Sequence, residues 1–145
     1  MVSVNAERVR EIMRLADEMR VDELVECFAD DAVMELPFAP GRMPRSYVGK
    51  AAIGTFQRFA RDSFSRFSMT VDAIHETADP HVVIAEHRSD AVVAENGRPY
   101  CNRYVTVFTF GDDGRITSWR EYYDAGVVVT AFRRDDPDRG RHGAV

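Results

Sequence analysis

Two stretches of this chain place carboxylates and an arginine where a β-strand should be apolar. The first is Val82-Val83-Ile84-Ala85-Glu86-His87-Arg88-Ser89-Asp90-Ala91-Val92-Val93-Ala94. The second is Ile116-Thr117-Ser118-Trp119-Arg120-Glu121-Tyr122-Tyr123-Asp124. Strand side chains alternate faces, so Glu86, Arg88 and Asp90 share a face with Val82, Ile84 and Val92. Trp119, Glu121 and Tyr123 share a face of the second strand. Charges among aliphatic and aromatic neighbours are costly unless they pair. Two arrangements fit: a structural ion pair, or an acid–base site whose desolvated carboxyl exchanges its proton near neutral pH. Glu121 is the candidate proton carrier, or else the partner of Arg88 or Arg103. Arg88 and Asp90 are candidate members of the same site, or else a salt bridge on an outward face.

Further candidates surround these. Arg103 shares a face with Val105 and Val107, where its guanidinium would orient a substrate carboxylate or carbonyl, or pair with Glu86 or Glu121. Glu35, just before Pro37, is a candidate at the mouth of a cavity or a solvated strand-end acid. Phe56, Val105, Trp119 and Tyr123 are candidate apolar walls, although aromatic residues are more often core. His75, His81 and His87 carry no metal-site spacing, so no metal is expected. Asp124 reads as a strand-end hydrogen-bonding residue. No nucleophile elbow and no Gly-rich phosphate loop occurs.

The elements that must position these residues follow from periodicity and turn chemistry. Asn5 can cap a helix with Val9, Ile12, Met13, Ala16 and Met19 on one stripe, and Asp22 a shorter one with Leu24, Val25 and Phe28. Ala32 to Leu36 reads as a strand. Pro37, Pro40, Gly41 and Pro44 mark a loop, 37–46, long enough to act as a lid or binding loop. A third helix follows Gly49, with Ala52, Ile53, Phe56, Phe59 and Ala60 apolar. Strands are predicted over 68–76, 82–94, 99–110 and 115–129, separated by Asp79-Pro80, Asn96-Gly97 and Gly111-Asp112-Asp113-Gly114. Helices followed by hairpins indicate an α+β domain.

The 145 residues suit one domain with a real core. A net charge of −5 argues against a nucleic-acid partner. No apolar run approaches the ~18 residues of a membrane span, and the N-terminus lacks a hydrophobic signal core. A cytoplasmic location is expected. Cys27 and Cys101 do not make a disulfide framework and are expected as small buried thiols.

Three stretches carry a resemblance to a known superfamily. They are Tyr47-Val48-Gly49-Lys50-Ala51-Ala52-Ile53, His87-Arg88-Ser89-Asp90, and the closing run from Gly114 through Trp119-Arg120-Glu121-Tyr122-Tyr123 to Asp124. Over roughly Glu7 to Phe132 the chain resembles the nuclear-transport-factor-2-like superfamily, specifically its SnoaL-like polyketide cyclases and limonene-epoxide-hydrolase-like enzymes. The epoxide hydrolases' pattern implies Arg88 as a bridge between two carboxylates, Asp90 as acid and Glu121 as base. Two departures stand out: Val33 and Glu35 replace that pattern's water-positioning Tyr and Asn, and the base is Glu rather than Asp. The phenazine-biosynthesis members carry an acid glutamate where Glu121 stands.

The expectation is therefore an α+β cone over residues 1–132, its curved, mainly antiparallel sheet wrapped around three N-terminal helices and a central pocket. A charged, flexible tail, 133–145, would follow. The expected function is cofactor-independent acid–base chemistry (isomerisation, cyclisation or epoxide opening) on a small apolar polyketide, terpenoid or aromatic metabolite. Glu121, Asp90 and Arg88 would carry it, with Arg103, Glu35, Trp119, Tyr123, Phe56 and Val105 around the substrate. The alternatives are an epoxide hydrolase and a non-catalytic binding module. The resemblance also implies a homodimer formed through the sheet's outer face.

Overall fold

The computed structural model describes residues 2–135. Three helices come first: α1 (Val4–Asp17), α2 (Val21–Glu26) and, after two strands, α3 (Lys50–Asp62). The strands are β1 (Phe28–Glu35), β2 (Ser46–Val48), β3 (Phe64–Glu76), β4 (Val82–Val93), β5 (Pro99–Tyr100), β6 (Arg103–Phe110) and β7 (Ile116–Tyr123). A fourth helix, α4 (Ala125–Phe132), follows. They form one sheet in the order β2-β1-β7-β6-β4-β3, with β5 added beside β4. Every pairing is antiparallel except β1 with β7, which run parallel with Val33 opposite Ser118 and Met34 opposite Trp119. This is the expected α+β class.

The helices form where the sequence pattern placed them, with shifted caps. Ser3 rather than Asn5 caps α1, its hydroxyl accepting from the Ala6 N–H at 3.1 Å. Arg20 rather than Asp22 precedes α2, without a side-chain cap. Gly49 turns the chain into α3 at φ +92°, a conformation other residues rarely adopt, while its N–H donates to the Ala32 carbonyl at 2.7 Å.

Several boundaries depart from the sequence reading. The first strand starts at Phe28, four residues early, and a short β2 precedes Gly49. The predicted 99–110 strand breaks at Cys101-Asn102, and the predicted 115–129 strand stops at Tyr123. Asp124 is then the cap of α4, its carboxylate accepting from the Gly126 N–H at 2.9 Å. Cys101 is exposed and Cys27 half-buried, so neither is the fully buried thiol expected. Of the tail, 136–145 lies outside the described residues, whereas Arg98 binds the Arg133 carbonyl at 2.6 Å and the Asp135 carboxylate.

The apolar interior divides into two clusters. One joins α1, α2 and α3 to the sheet through Val9, Ile12, Phe28, Ile53, Phe108, Ile116 and Trp119. The other packs α4 against β4, β5 and β6 through Val128, Ala131, Ala91, Val93, Tyr100 and Tyr104. A cavity occupies the space between them.

Candidate active site

The cavity has a volume of about 760 Å³, enough for a drug-sized molecule. Its walls draw on both clusters: Leu24, Met34 and Trp119 from one, Tyr100, Tyr104 and Val128 from the other. Met13, Met19, Met43 and Met69 also face it, so much of the wall is unbranched and adaptable. Phe56, stacked on Tyr47 at 4.4 Å, lines the helical side.

Which side chains reach this space is set by strand alternation. On β4 the inner face carries Val83, Ala85, His87, Ser89, Ala91 and Val93, all buried. On β6 it carries Tyr104, Thr106, Phe108 and Phe110. On β7, Trp119, Glu121 and Tyr123 face inward and line the cavity. Glu121 is thus a carboxyl inside an apolar chamber, its side chain only 15 % exposed.

Thr106 holds Glu121, and His87 holds Thr106. Thr106 lies directly opposite Glu121 across β6 and β7, and its hydroxyl donates to Glu121 Oε1 at 3.2 Å. The hydroxyl has one proton, so it accepts from His87 Nε2 at 2.8 Å. This fixes the imidazole as the Nε2–H tautomer and leaves Nδ1 buried without a partner. Tyr104 stacks flat on the ring, centroids 4.8 Å apart and planes 6° apart. The relay therefore runs from His87 through Thr106 to Glu121, with His87 Nε2 3.9 Å from Glu121 Oε1.

Burial controls the titration of this group. Desolvation pushes Glu121 from its ordinary 4.5 up to about 7, opposed by the Thr106 hydroxyl. The Trp119 indole N–H acts in the same direction as Thr106, although it completes no hydrogen bond. Desolvation lowers His87 to about 4, so the imidazole is neutral at neutral pH. Tyr123 is pushed up to about 12, first by burial and then by the Glu121 charge. A carboxyl poised near neutrality and, among the described residues, free of any paired cation is suited to taking and returning a proton.

The expected trio does not assemble. Arg88 and Asp90 project from the outer face of β4, opposite to Glu121. Asp90 pairs with Arg66 at 2.9 Å, and Arg88 with Asp72 at 3.5 Å. Both are the outward alternatives, and the reason is desolvation: the inner face of β4 packs against helices and carries no formal charge. Arg103 and Val105 also lie on the outer face, Arg103 beside Arg88 in register. With Phe38 and Tyr122 they border a second depression there. Glu35 points away from the cavity that its neighbours Met34 and Leu36 line. Of the candidate residues, Glu121, Trp119, Tyr123 and Phe56 reach the cavity, and Arg88, Asp90, Arg103, Val105 and Glu35 do not.

His87 and Thr106 were passed over by the sequence reading. The signal was present: of the two faces of the 82–94 strand, only the one bearing His87 lacks Asp, Glu and Arg. Among the described residues, no group of three or more His, Cys, Asp or Glu could hold a metal ion. No described helix is long and apolar enough to cross a membrane.

Comparison with known proteins places this architecture. The chain is 34 % identical to the uncharacterized Bacillus subtilis protein YesE over 87 % of its own length and 85 % of that protein. It is 28 % identical to an uncharacterized PhzA/B-like protein of Pseudomonas aeruginosa over 68 % of this chain and 69 % of the relative. A crystal structure of a Bacillus subtilis protein described as a candidate isomerase superposes with a TM-score of 0.77 at 34 % identity, covering 87 % of this chain and 90 % of that one. The epoxide hydrolase/cyclase-like enzyme SalBIII, which has a role in pyran ring formation in the polyether salinomycin, shares the fold: TM-score 0.70, 21 % identity, 84 % and 92 % covered. Residues 9–119, which run from Val9 in α1 to Trp119 in β7, match the SnoaL-like domain, and the chain belongs to that family.

Proposed function

We infer that this chain is a cofactor-independent acid–base enzyme of isomerase or cyclase type, acting on a small, largely apolar molecule. The observation that carries this reading is the Glu121 carboxyl, buried in the apolar cavity and poised near pH 7 without a cationic partner among the described residues. Glu121 takes a proton from one position of the bound molecule and returns it at another. Thr106 holds the carboxylate, and neutral His87 fixes Thr106. The Bacillus subtilis relative described as a candidate isomerase supports the same class. Epoxide opening through an Arg-bridged carboxylate pair is disfavoured, because Arg88 and Asp90 face away from the cavity.

The test is turnover of a panel of small apolar ketones and epoxides by the wild type and by Glu121→Gln. The substitution keeps the size and the Thr106 hydrogen bond but cannot carry the proton. Loss of at least about a hundredfold in kcat, with an unchanged circular dichroism spectrum, is expected. In the wild type, kcat/KM should rise with pH through an apparent pKa near 7. Full activity in the Gln variant would refute the acid–base role and leave a binding module as the better reading.

A further inference from the structure

Helix α3 turns an apolar stripe inward, and one position in that stripe is polar. Phe56, Gln57 and Ala60 line the cavity, one turn on from the fully buried Ile53. Ala51, Thr55 and Arg58 take the solvent side. The Gln57 side chain reaches across to β1, where its amide nitrogen donates to Met34 Sδ at 3.8 Å. Met34 is buried and lines the same cavity. A thioether sulfur is a weak acceptor, and turning the amide over would set Gln57 Oε1 against its lone pairs. Oε1 is therefore the free end of the amide, without a hydrogen-bond partner among the described residues. An amide in apolar surroundings is costly unless it is paired. A leucine at this place would carry no such cost, so the polar group answers to what enters the cavity.

The sheet also fixes how far this amide stands from Glu121. Met34 lies opposite Trp119 in the pairing of β1 with β7, and Trp119 and Glu121 are successive residues on one face of β7. One strand spacing and two residues of rise set the Met34 and Glu121 Cα atoms roughly 8 Å apart. That distance suits the long axis of a small fused ring system. A molecule lying along the sheet would meet Glu121 at one end and Gln57 at the other.

We propose that Gln57 determines specificity by holding a hydroxyl group on the end of the substrate remote from Glu121, with that hydroxyl donating to Oε1. The substrate is then an apolar ring system that carries a hydroxyl across its long axis from the carbon that exchanges its proton. The proposal rests on the acid–base reading of Glu121 for the chemistry at the other end. It deepens that reading by naming the group that fixes which carbon is presented. An ether or ketone oxygen in the same place brings only an acceptor and leaves Oε1 unpaired. A plain C–H edge leaves the whole amide unpaired. A site built to bond a hydroxyl rejects analogues that lack it.

The experiment measures binding of 6-hydroxy-2-tetralone, 6-methoxy-2-tetralone and 2-tetralone to the wild type, Gln57→Leu and Glu121→Gln. Each is an enolisable ketone, and the substituent lies on the ring remote from the carbonyl. Trp119 is the only tryptophan of the chain and lines the cavity, so quenching of its fluorescence reports occupancy. The wild type should bind the hydroxy compound at least about tenfold more tightly than the other two. Gln57→Leu should lose that preference, while its thermal midpoint stays level or rises, because no polar group is left unpaired. Gln57→Met, which keeps the length of the side chain, serves if the leucine variant fails to fold. Glu121→Gln should keep the preference. In D₂O the wild type should exchange the protons next to the carbonyl, and Glu121→Gln should not. A preference that persists in the folded Gln57 variant, or is missing from the wild type, overturns the assignment. So does the absence of quenching by all three compounds at millimolar concentration. Exchange by the wild type without the preference refutes Gln57 and leaves Glu121 standing. A Gln57-dependent preference without exchange refutes the acid–base role of Glu121 and leaves the hydroxyl site standing.

Discussion

Glu121 and His87 bring opposite pH dependences into one small network. The folded chain keeps Glu121 protonated up to about pH 7, whereas an ordinary glutamate ionises near 4.5. Folding therefore binds an extra proton between these values, and this contribution to stability falls as pH rises through that window. His87 behaves inversely. An ordinary imidazole takes a proton near 6.5, but the buried ring resists it down to about 4. Its contribution is present above 6.5 and is lost as pH falls toward 4. The two slopes oppose each other from about pH 4.5 to 6.5. Glu121→Gln removes one slope, so its stability relative to wild type should grow with pH. The gain should reach about 3 kcal/mol above pH 8, read by urea unfolding at several pH values. A difference independent of pH would show that the carboxyl is not desolvated. Glu121 was legible in the sequence because Trp119 and Tyr123 flank it on one face. Arg88 and Asp90 were misplaced because alternation says which residues share a face, not which face is inside.

Among the elements, the corner between β7 and α4 depends on a residue that the sequence did not advertise. Asn102 is 3 % exposed and sits where the predicted 99–110 strand breaks. Its Nδ2 donates to the Asp124 carbonyl at 3.0 Å, and its Oδ1 accepts from the Arg103 and Asp124 N–H groups at 2.8 and 3.2 Å. Asn102→Ala would leave those buried groups unpaired. A loss of about 2–3 kcal/mol is expected, measured by thermal or urea unfolding. A loss under about 1 kcal/mol would mean that the corner is held by packing alone. The helix this corner introduces was invisible to pattern reading. Its Val127-Val128-Val129-Thr130 run favours a strand, and only the Asp124 cap and burial of Val128 and Ala131 against the second cluster select a helix. The N-terminal helices were readable because their apolar stripes run at helical spacing over many residues.

At the scale of the whole molecule, the described residues leave the face of the sheet turned away from the helices uncovered. Val105 is 39 % exposed there, and Phe38, 57 % exposed, stacks edge-on against Tyr122. Around them lie acids and bases in similar number, including Glu86, Asp90, Arg88 and Arg103. A face of mixed sign can complement a second copy of itself about a twofold axis. We propose that two chains pair through this face, as the resemblance to the superfamily implies. Sedimentation should give a dimer, and Val105→Asp should shift it toward monomer without changing the circular dichroism spectrum. A wild-type monomer at all concentrations would reject the pairing.

The parallel pairing of β1 with β7 also sets the order in which this chain can acquire its structure. Phe28 meets Ile116 across roughly ninety intervening residues. The first helices pack mainly on β3 and β1, and the core they share is completed by Phe108, Ile116 and Trp119, all from the last third of the sequence. During synthesis the N-terminal half emerges with β1 and β3 but without β4, β6 and β7, which join them into one sheet. Folding must then wait until β7 has left the ribosome, and closure of so long a loop is slow. Until then, the exposed helical half is the part of the nascent chain most in need of protection from aggregation.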